Sequence, residues 1–381
     1  MMGSEAGATE LSHPALTIKE NLGGPNHVRR FFQVVGFSPP ANYLVHNSSI
    51  NNLVRGVLTR VFYVKGKPPP KPAIGIYAKR LLYFSIGVAK RFSTTTPVSR
   101  QEFVGFYTGR KRAIYQAAVD SLLTCCIRII DSYIKAFVKA EFINFDDKPD
   151  PDPRIISPRD PRYNVEVGRY LRPIEHQIYG AIAKMFGDTT VLKGFNAQQT
   201  GLIFQKKWAS FDHPVAVGLD ASRFDQHVSR QALEWEHSIY NMIYRQSKEL
   251  KKLLSWQLVN HVTGYCRDGK LKYIVEGCRM SGDMNTAMGN CLIMCALVHA
   301  YAKDREIKIK LANNGDDCTV IMESSDLRKF TTGLDAWFLE MGFNMKVEAP
   351  VYHIEGIEFC QTHPVLVDGN YIMVRNFPKA L

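Results

Sequence analysis

The chain has 381 residues, 45% hydrophobic and 22% charged, enough for a large core in two or more subdomains, and this balance excludes a disordered protein. Lys and Arg number 48 against 36 Asp and Glu, a formal charge of +12 with a pI near 9.2. This excess of cations calls for a polyanionic partner, nucleic acid before an anionic membrane surface. Eight cysteines are scattered without a CxxC pair, which argues for reduced, packed thiols and against a disulfide framework or a zinc site. The first residues, MMGSEAGATE, lack the basic-then-apolar pattern of a secretory signal. No apolar run approaches the roughly 18 residues of a membrane span, CLIMCALV at 291–298 being the longest of note.

Taken in chain order, residues 1–70 carry turn formers and a basic apolar stretch whose closing prolines, at 68–72, mark a boundary. From about 72 to 143 the spacing predicts helix, most clearly in IYQAAVDSLLTCCIRIIDSYIKAFV. The segment 144–164, NFDDKPDPDPRIISPRDPRYN, holds five prolines and predicts an extended, exposed loop. HPVAVGL (213–219) reads as a buried strand ending at Asp220, and Phe224 to Tyr244 as helix. A hairpin is expected around Asp268-Gly269, a second helix from about Asp283, a hairpin at Asn314-Gly315, a helix over 325–341, and short strands to the end. The pattern is α+β with an antiparallel element, not a series of parallel βαβ units.

Two groups of carboxylates stand at strand ends: Asp220, and the pair Asp316 and Asp317 between the apolar runs IKIKLAN and CTVIM. Asp favours turns for local hydrogen-bonding reasons, so two acids at a hairpin can be purely structural. Phosphoryl transfer offers another reason, because two Mg²⁺ ions about 3.5–4 Å apart need hard oxygen ligands, and two or three carboxylates brought together supply them. Asp225 reads equally as part of a helix-start pattern, Ser222-x-x-Asp225. Ser281, Gly282, Asp283, Thr286 and Asn290 could simply begin a helix, with Thr286 and Asn290 sharing a face.

In order and spacing, DASRFD, SGDMNTAMGN and NGDD resemble the motifs of palm-domain RNA-dependent RNA polymerases of positive-strand RNA viruses. FVKAEF (137–142), KPDPDPRIISPRDPRYNVEVGRYLRPIE (148–175), MGFNMKVE (341–348) and EFCQTHPV (358–365) narrow the resemblance to the tombusvirus and carmovirus group, from about residue 46 onward. The resemblance implies a right-hand fold of fingers and palm, with an antiparallel palm sheet packed on helices. It implies an N-terminal extension and fingers over 1–200, including a nucleotide-admitting loop at 144–172. Over 201–375 it implies the palm, with a fingers insertion at about 251–280. Residues 376–381 would begin a thumb that is largely absent from this chain.

By that resemblance Asp220, Asp316 and Asp317 are the catalytic, metal-binding acids. Asp225, Ser281, Thr286 and Asn290 read the ribose 2′-OH, a group that both donates and accepts hydrogen bonds. Arg154, helped by Lys148 and Arg159, grips the incoming triphosphate, and Lys346 gives a proton to the leaving pyrophosphate. Phe142 departs from the pattern, standing where relatives commonly have Lys.

The implied activity is RNA-directed RNA polymerase, copying a viral genome by two-metal nucleotidyl transfer with Mg²⁺, for which Mn²⁺ substitutes. Its partners would be an RNA template and product duplex, NTPs and a membrane-anchored viral replication protein, but not DNA. Its setting would be the host cytoplasm, in membrane-associated replication complexes. A reverse transcriptase shares the palm geometry, but residues that attract a 2′-OH and an NGDD hairpin argue against it. A thumb-less, catalytically weak RNA-binding replication subunit is the alternative from another class.

Overall fold

The computed structural model describes residues 3–21, 28–30, 32 and 42–376. Apart from Asn376, the expected start of a thumb lies outside the described residues. The chain divides into two compact units, each assembled from three stretches: 1–69, 98–169 and 252–284 in the first, and 70–97, 170–251 and 285–381 in the second. The expected insertion at 251–280 falls almost on the last stretch of the first unit. The expected boundary at 200 does not coincide with this division. A single helix, Pro161–Phe186, carries the chain from one unit to the other, so no break in composition marks the passage.

In the first unit a five-stranded sheet runs in the order Thr17–Glu20, Gly269–Glu276, Val259–Cys266, Ile134–Val138, Ile155–Ile156. Side chains alternate across a strand. Ile134, Ala136, Val138, Val262, Leu271 and Tyr273 therefore share one face, where they pack with Leu53 and Val57 of the helix Ile50–Val57. Ser49 caps that helix, its hydroxyl accepting from the Asn52 amide. A second cluster gathers Phe103, Tyr115, Val119 and Leu122 against Val165.

Here the expected helix through 143 is corrected. The helix Gly109–Thr124 ends where Cys125 turns extended, and Ile134–Val138 is a strand with alternating burial. Ile134, Ala136 and Val138 fit a period of two as well as a helical spacing, and parallel pairing with Val259–Cys266 decided between them. The 144–172 loop is corrected as well. Ile155–Ile156 is a strand, Pro161 opens a helix at the position where its missing N–H costs nothing, and Pro151, Pro153 and Ser157 are buried.

The second unit is built on a four-stranded antiparallel sheet in the order Met345–Val347, Pro214–Ala221, Asp317–Glu323, Ile309–Asn314. The helix Thr286–Asp304 is apolar on every side, with Cys291 to Val298 fully buried, and packs with the helices Ile76–Ala89 and Arg230–Ile243. It begins three residues later than expected, at Thr286. The helix expected over 224–244 is two pieces, Phe224–His227 and Arg230–Ile243, the second capped by the Ser229 hydroxyl. The helix expected over 325–341 is likewise divided, Leu327–Thr331 and Leu334–Glu340 meeting at Gly333 with φ +73°. On the other side of the sheet, Phe204, Ala216, Ile321, Phe359 and Met373 form one core. None of the described helices is long and apolar enough to cross a membrane.

Candidate active site

Within the second unit the strand Pro214–Ala221 lies between two neighbours, and Val215, Ala216, Val217 and Leu219 are buried on both of its faces. Apolar residues on both faces are what a central strand requires. Asp220, next to the strand's end, is exposed. Two residues earlier, Gly218 leaves room for the Glu348 carboxylate, which a Cβ there would meet at 1.9 Å and displace. After Ala221 the backbone turns sharply, Arg223 taking φ +53°, an uncommon conformation for a side-chain-bearing residue and one that marks functional turns. Phe224, stacked on Phe343 at 4.8 Å, anchors the short helix that begins there.

The acid pair sits on the hairpin between Ile309–Asn314 and Asp317–Glu323. Its two-residue turn is Gly315-Asp316, one position later than the Asn-Gly signal suggests, and Gly315 supplies the positive φ, +86°. Asn313 fixes the turn from beneath. Its side chain is fully buried, donates to the Gly315 carbonyl at 2.7 Å and accepts from the Gly315 amide. Lys193 steadies it from the side, donating to Asn314 Oδ1 at 2.6 Å.

Strand register then brings the predicted groups together. Cys318 pairs with Leu219, which sets Asp317 opposite Asp220, and Lys346 pairs with Asp220 from the other neighbour. Directly opposed residues place their Cβ atoms about 5 Å apart on one face. Asp220 and Asp317 line a cleft of about 180 Å³ with Glu348, Glu358 and Cys360. The Asp317 residue is exposed as a whole, yet its carboxyl is held above the ordinary carboxylate range. Desolvation by the surrounding protein is the larger cause, followed by the charge of Asp316; Asp220 and Glu358 add to it, and a hydrogen bond from the Cys360 thiol offsets it. Glu348 is raised too, by desolvation first and then by Asp220, Glu358 and Asp317. These are the marks of negative charge crowded into one place.

The donor set is all carboxylate and suits a hard cation. Among the described residues no three His, Cys, Asp or Glu side chains already close into a ligand shell.

Asp225 stands in the first turn of its short helix and not at the cap position. The cap position of the short helix is Arg223, and Asp225 Oδ1 instead accepts from Asn290 Nδ2 at 2.8 Å. Thr286 lies one turn before Asn290 on the same helix, so three of the four predicted sugar-reading residues gather in this unit. The start of that helix is held by a buried chain of hydrogen bonds, Asn285 Nδ2 to Glu236 Oε1 at 2.6 Å and Tyr240 Oη to the same oxygen at 2.7 Å.

The remaining predicted residues belong to the first unit. Ser281 is exposed, and its hydroxyl accepts from the Ser157 amide at 2.9 Å. Lys148 is exposed, and Arg154, also exposed, pairs with Glu141 at 3.1 Å. Arg159 corrects the expectation of a triphosphate helper. Its side chain is 1% exposed, it forms an ion pair with the equally buried Asp283, and it donates to the Ser132 carbonyl and to Asn260 Oδ1 at 2.7 Å each. Burial alone would lower its pKa, and Asp283 outweighs that and holds the guanidinium above its ordinary value. A cation with its donors so engaged cannot reach a phosphate.

Sequence reasoning missed Glu348, Glu358, Cys360, Lys193 and Asn313. Glu348 had a signal: it lies two residues beyond Lys346, so strand alternation returns it to the same face. Glu358 and Cys360 stand in EFCQTHPV, a stretch that carried the resemblance but no role, and Lys193 had no signal.

The sequence model of the viral RNA-dependent RNA polymerase family matches residues 17–381. The RNA-directed RNA polymerase of Tobacco necrosis virus (strain A) is 48% identical over 367 residues, covering 95% of this chain and 50% of that protein. Those of Tomato bushy stunt virus (strain Cherry) and Turnip crinkle virus are 46% and 44% identical, covering 97% and 99% of this chain and 46% and 48% of theirs. The chain thus spans about half the length of the curated relatives it matches.

Proposed function

The chain belongs to the viral RNA-dependent RNA polymerase family, and from that premise we propose that it extends RNA on an RNA template by nucleotidyl transfer at the carboxylate cleft of its second unit. The observation that carries this reading is the convergence of Asp220 and Asp317 across one strand pair, with Asp316 in the adjoining turn. Family members generally use divalent metal ions, and the all-carboxylate donor set favours Mg²⁺, with Mn²⁺ able to replace it. When bound, such an ion activates the attacking 3′-hydroxyl and stabilises the leaving pyrophosphate.

The chain's own residues do the rest. Asp220, Asp316 and Asp317 would hold the cation. Lys346 would give a proton to the leaving group, a role its strand pairing with Asp220 supports. Asp225, held by Asn290, would accept from a ribose 2′-OH, with Thr286 one turn before Asn290 on the neighbouring helix. In the proline-rich segment Arg154 and Lys148 keep exposed cations suited to a triphosphate, and Ser281 is retained as a sugar contact.

In this reading the second unit is the palm and the first the fingers. RNA template, product duplex and NTPs are its substrates. DNA is not, and a membrane-anchored viral replication protein would bring it to membrane-associated complexes in the host cytoplasm.

Primer extension on an RNA template with Mg²⁺ tests the proposal. Asp316→Ala and Asp220→Ala should each lower incorporation by about 10²-fold or more while RNA binding stays near that of the unmodified chain. Turnover within about tenfold, roughly 1.4 kcal/mol of barrier, would place the chemistry elsewhere.

A further inference from the structure

The five-stranded sheet of the first unit has a second face, opposite its core. Alternation puts Lys135 and Phe137, then His261, Thr263 and Tyr265, then Lys270, Lys272 and Ile274, then Thr17 and Lys19 on it. Register lines them up in rows. Lys135, Thr263, Lys272 and Thr17 stand side by side across four strands. Tyr265, Lys270 and Lys19 form the next row, which Phe137 extends. Tyr133 and His261 stack at 4.6 Å and 17° at the other end. Successive rows are two residues of strand rise apart, about 6.7 Å.

Its side chains are exposed: Tyr265 is 59% exposed, Ile274 50% and Phe137 42%. Among the described residues Lys19, Lys135, Lys270 and Lys272 make no ion pair; Glu276 stands at the edge of the face, and Glu141, beyond the strand Ile134–Val138, pairs with Lys139 and Arg154. Exposed aromatic residues in this number are unexpected on a surface with no partner.

We infer that this face is a docking platform for single-stranded RNA, its aromatic rings stacking on bases and its lysines neutralising the phosphates between them. Flat strands present ring faces at fixed spacing, and stacking tolerates any base because every base has a π-face. Four uncompensated cations interleaved with rings match an alternation of base and phosphate. A membrane-binding surface would instead segregate a continuous apolar patch from its basic rim. The inference rests on the polymerase reading for the choice of RNA, yet it needs no catalysis.

The experiment is fluorescence anisotropy with a short labelled oligouridylate and, in parallel, an RNA duplex, without NTP or metal. Phe137→Ala/Tyr265→Ala should weaken the single strand about tenfold and leave the duplex almost unchanged. Lys270→Ala/Lys272→Ala should reduce the slope of log affinity against log salt by about 0.7 per lysine. Unchanged thermal midpoints confirm folded variants, and Lys270→Glu alone replaces any double variant that fails to fold. Unaltered single-strand affinity, equal weakening of the duplex, or loss of binding to phosphatidylserine vesicles with RNA binding intact would each overturn the inference. Asp316→Ala is the reference. It should bind oligouridylate like the unmodified chain, so failure of the platform and failure of the polymerase reading give different results.

Discussion

Asp317 shows how a single residue ties electrostatics to function. Its carboxyl pKa is raised in the fold by desolvation and neighbouring acids, so the folded chain binds that proton more tightly than the unfolded chain, where the value is about 3.9. Its ionisation therefore lowers stability as pH rises from the unfolded value through the raised folded one. Asp317→Asn should raise the thermal midpoint of the protein in chelator at neutral pH, and the gain should vanish in acid. Apparent Mg²⁺ affinity of the unmodified chain should climb with pH across the same window, because the proton must leave before a cation binds; a pH-independent affinity would exclude Asp317 from the metal site. Asp225 makes a different statement. Its carboxylate is oriented by Asn290 rather than spent on a cap, so Asp225→Ala should erode the preference for rNTP over dNTP more than it lowers stability. Competition assays read the first effect and thermal unfolding the second, and the reverse order would restore a structural role.

At the scale of elements, two of the three stretches of the first unit, 98–169 and 252–284, are stitched together pair by pair. Ser157 donates to Ser281, Pro158 bridges to Gly282, and Arg159 pairs with Asp283. Gly282 is required there, since a Cβ would stand 2.4 Å from Pro158 Cα. The proline-rich segment is therefore a fixed element, not a solvated loop. Asp283→Ala leaves the Arg159 charge buried and unpaired and should cost about 3–5 kcal/mol in urea unfolding. Arg159→Met with Asp283→Leu should recover much of that loss, and the KM for NTPs should stay within about twofold. A selective rise in KM would return Arg159 to the triphosphate.

For the whole molecule the +12 charge predicts RNA binding with little sequence preference and a steep dependence on salt. Neutralising four phosphates of a single strand gives a slope near −2.8, so affinity should fall about fifty-fold between about 50 and 200 mM salt. A flat salt response in a filter-binding series would mean that the excess lysines and arginines serve something other than a polyanion.

The sequence by itself located the acids, and the family resemblance proposed their role. Asp220, Asp316 and Asp317 could be named because strand ends and hairpin turns are written locally, in apolar runs, glycines and alternation. The strand at 214–221, the 309–323 hairpin and the helix through 291–298 were legible for the same reason. Only the tertiary structure decided which polar groups are partners. Arg154 and Arg159 look alike in the text, yet one stays in solvent and the other is buried against Asp283, 124 positions away. Ile134–Val138 carries both periodicities, and a parallel neighbour more than a hundred residues distant made it a strand. Glu358, Cys360 and Lys193 reach the acids through long-range packing. The open aromatic and lysine face depends on register among four strands, and that is set by pairing rather than by any local run of residues.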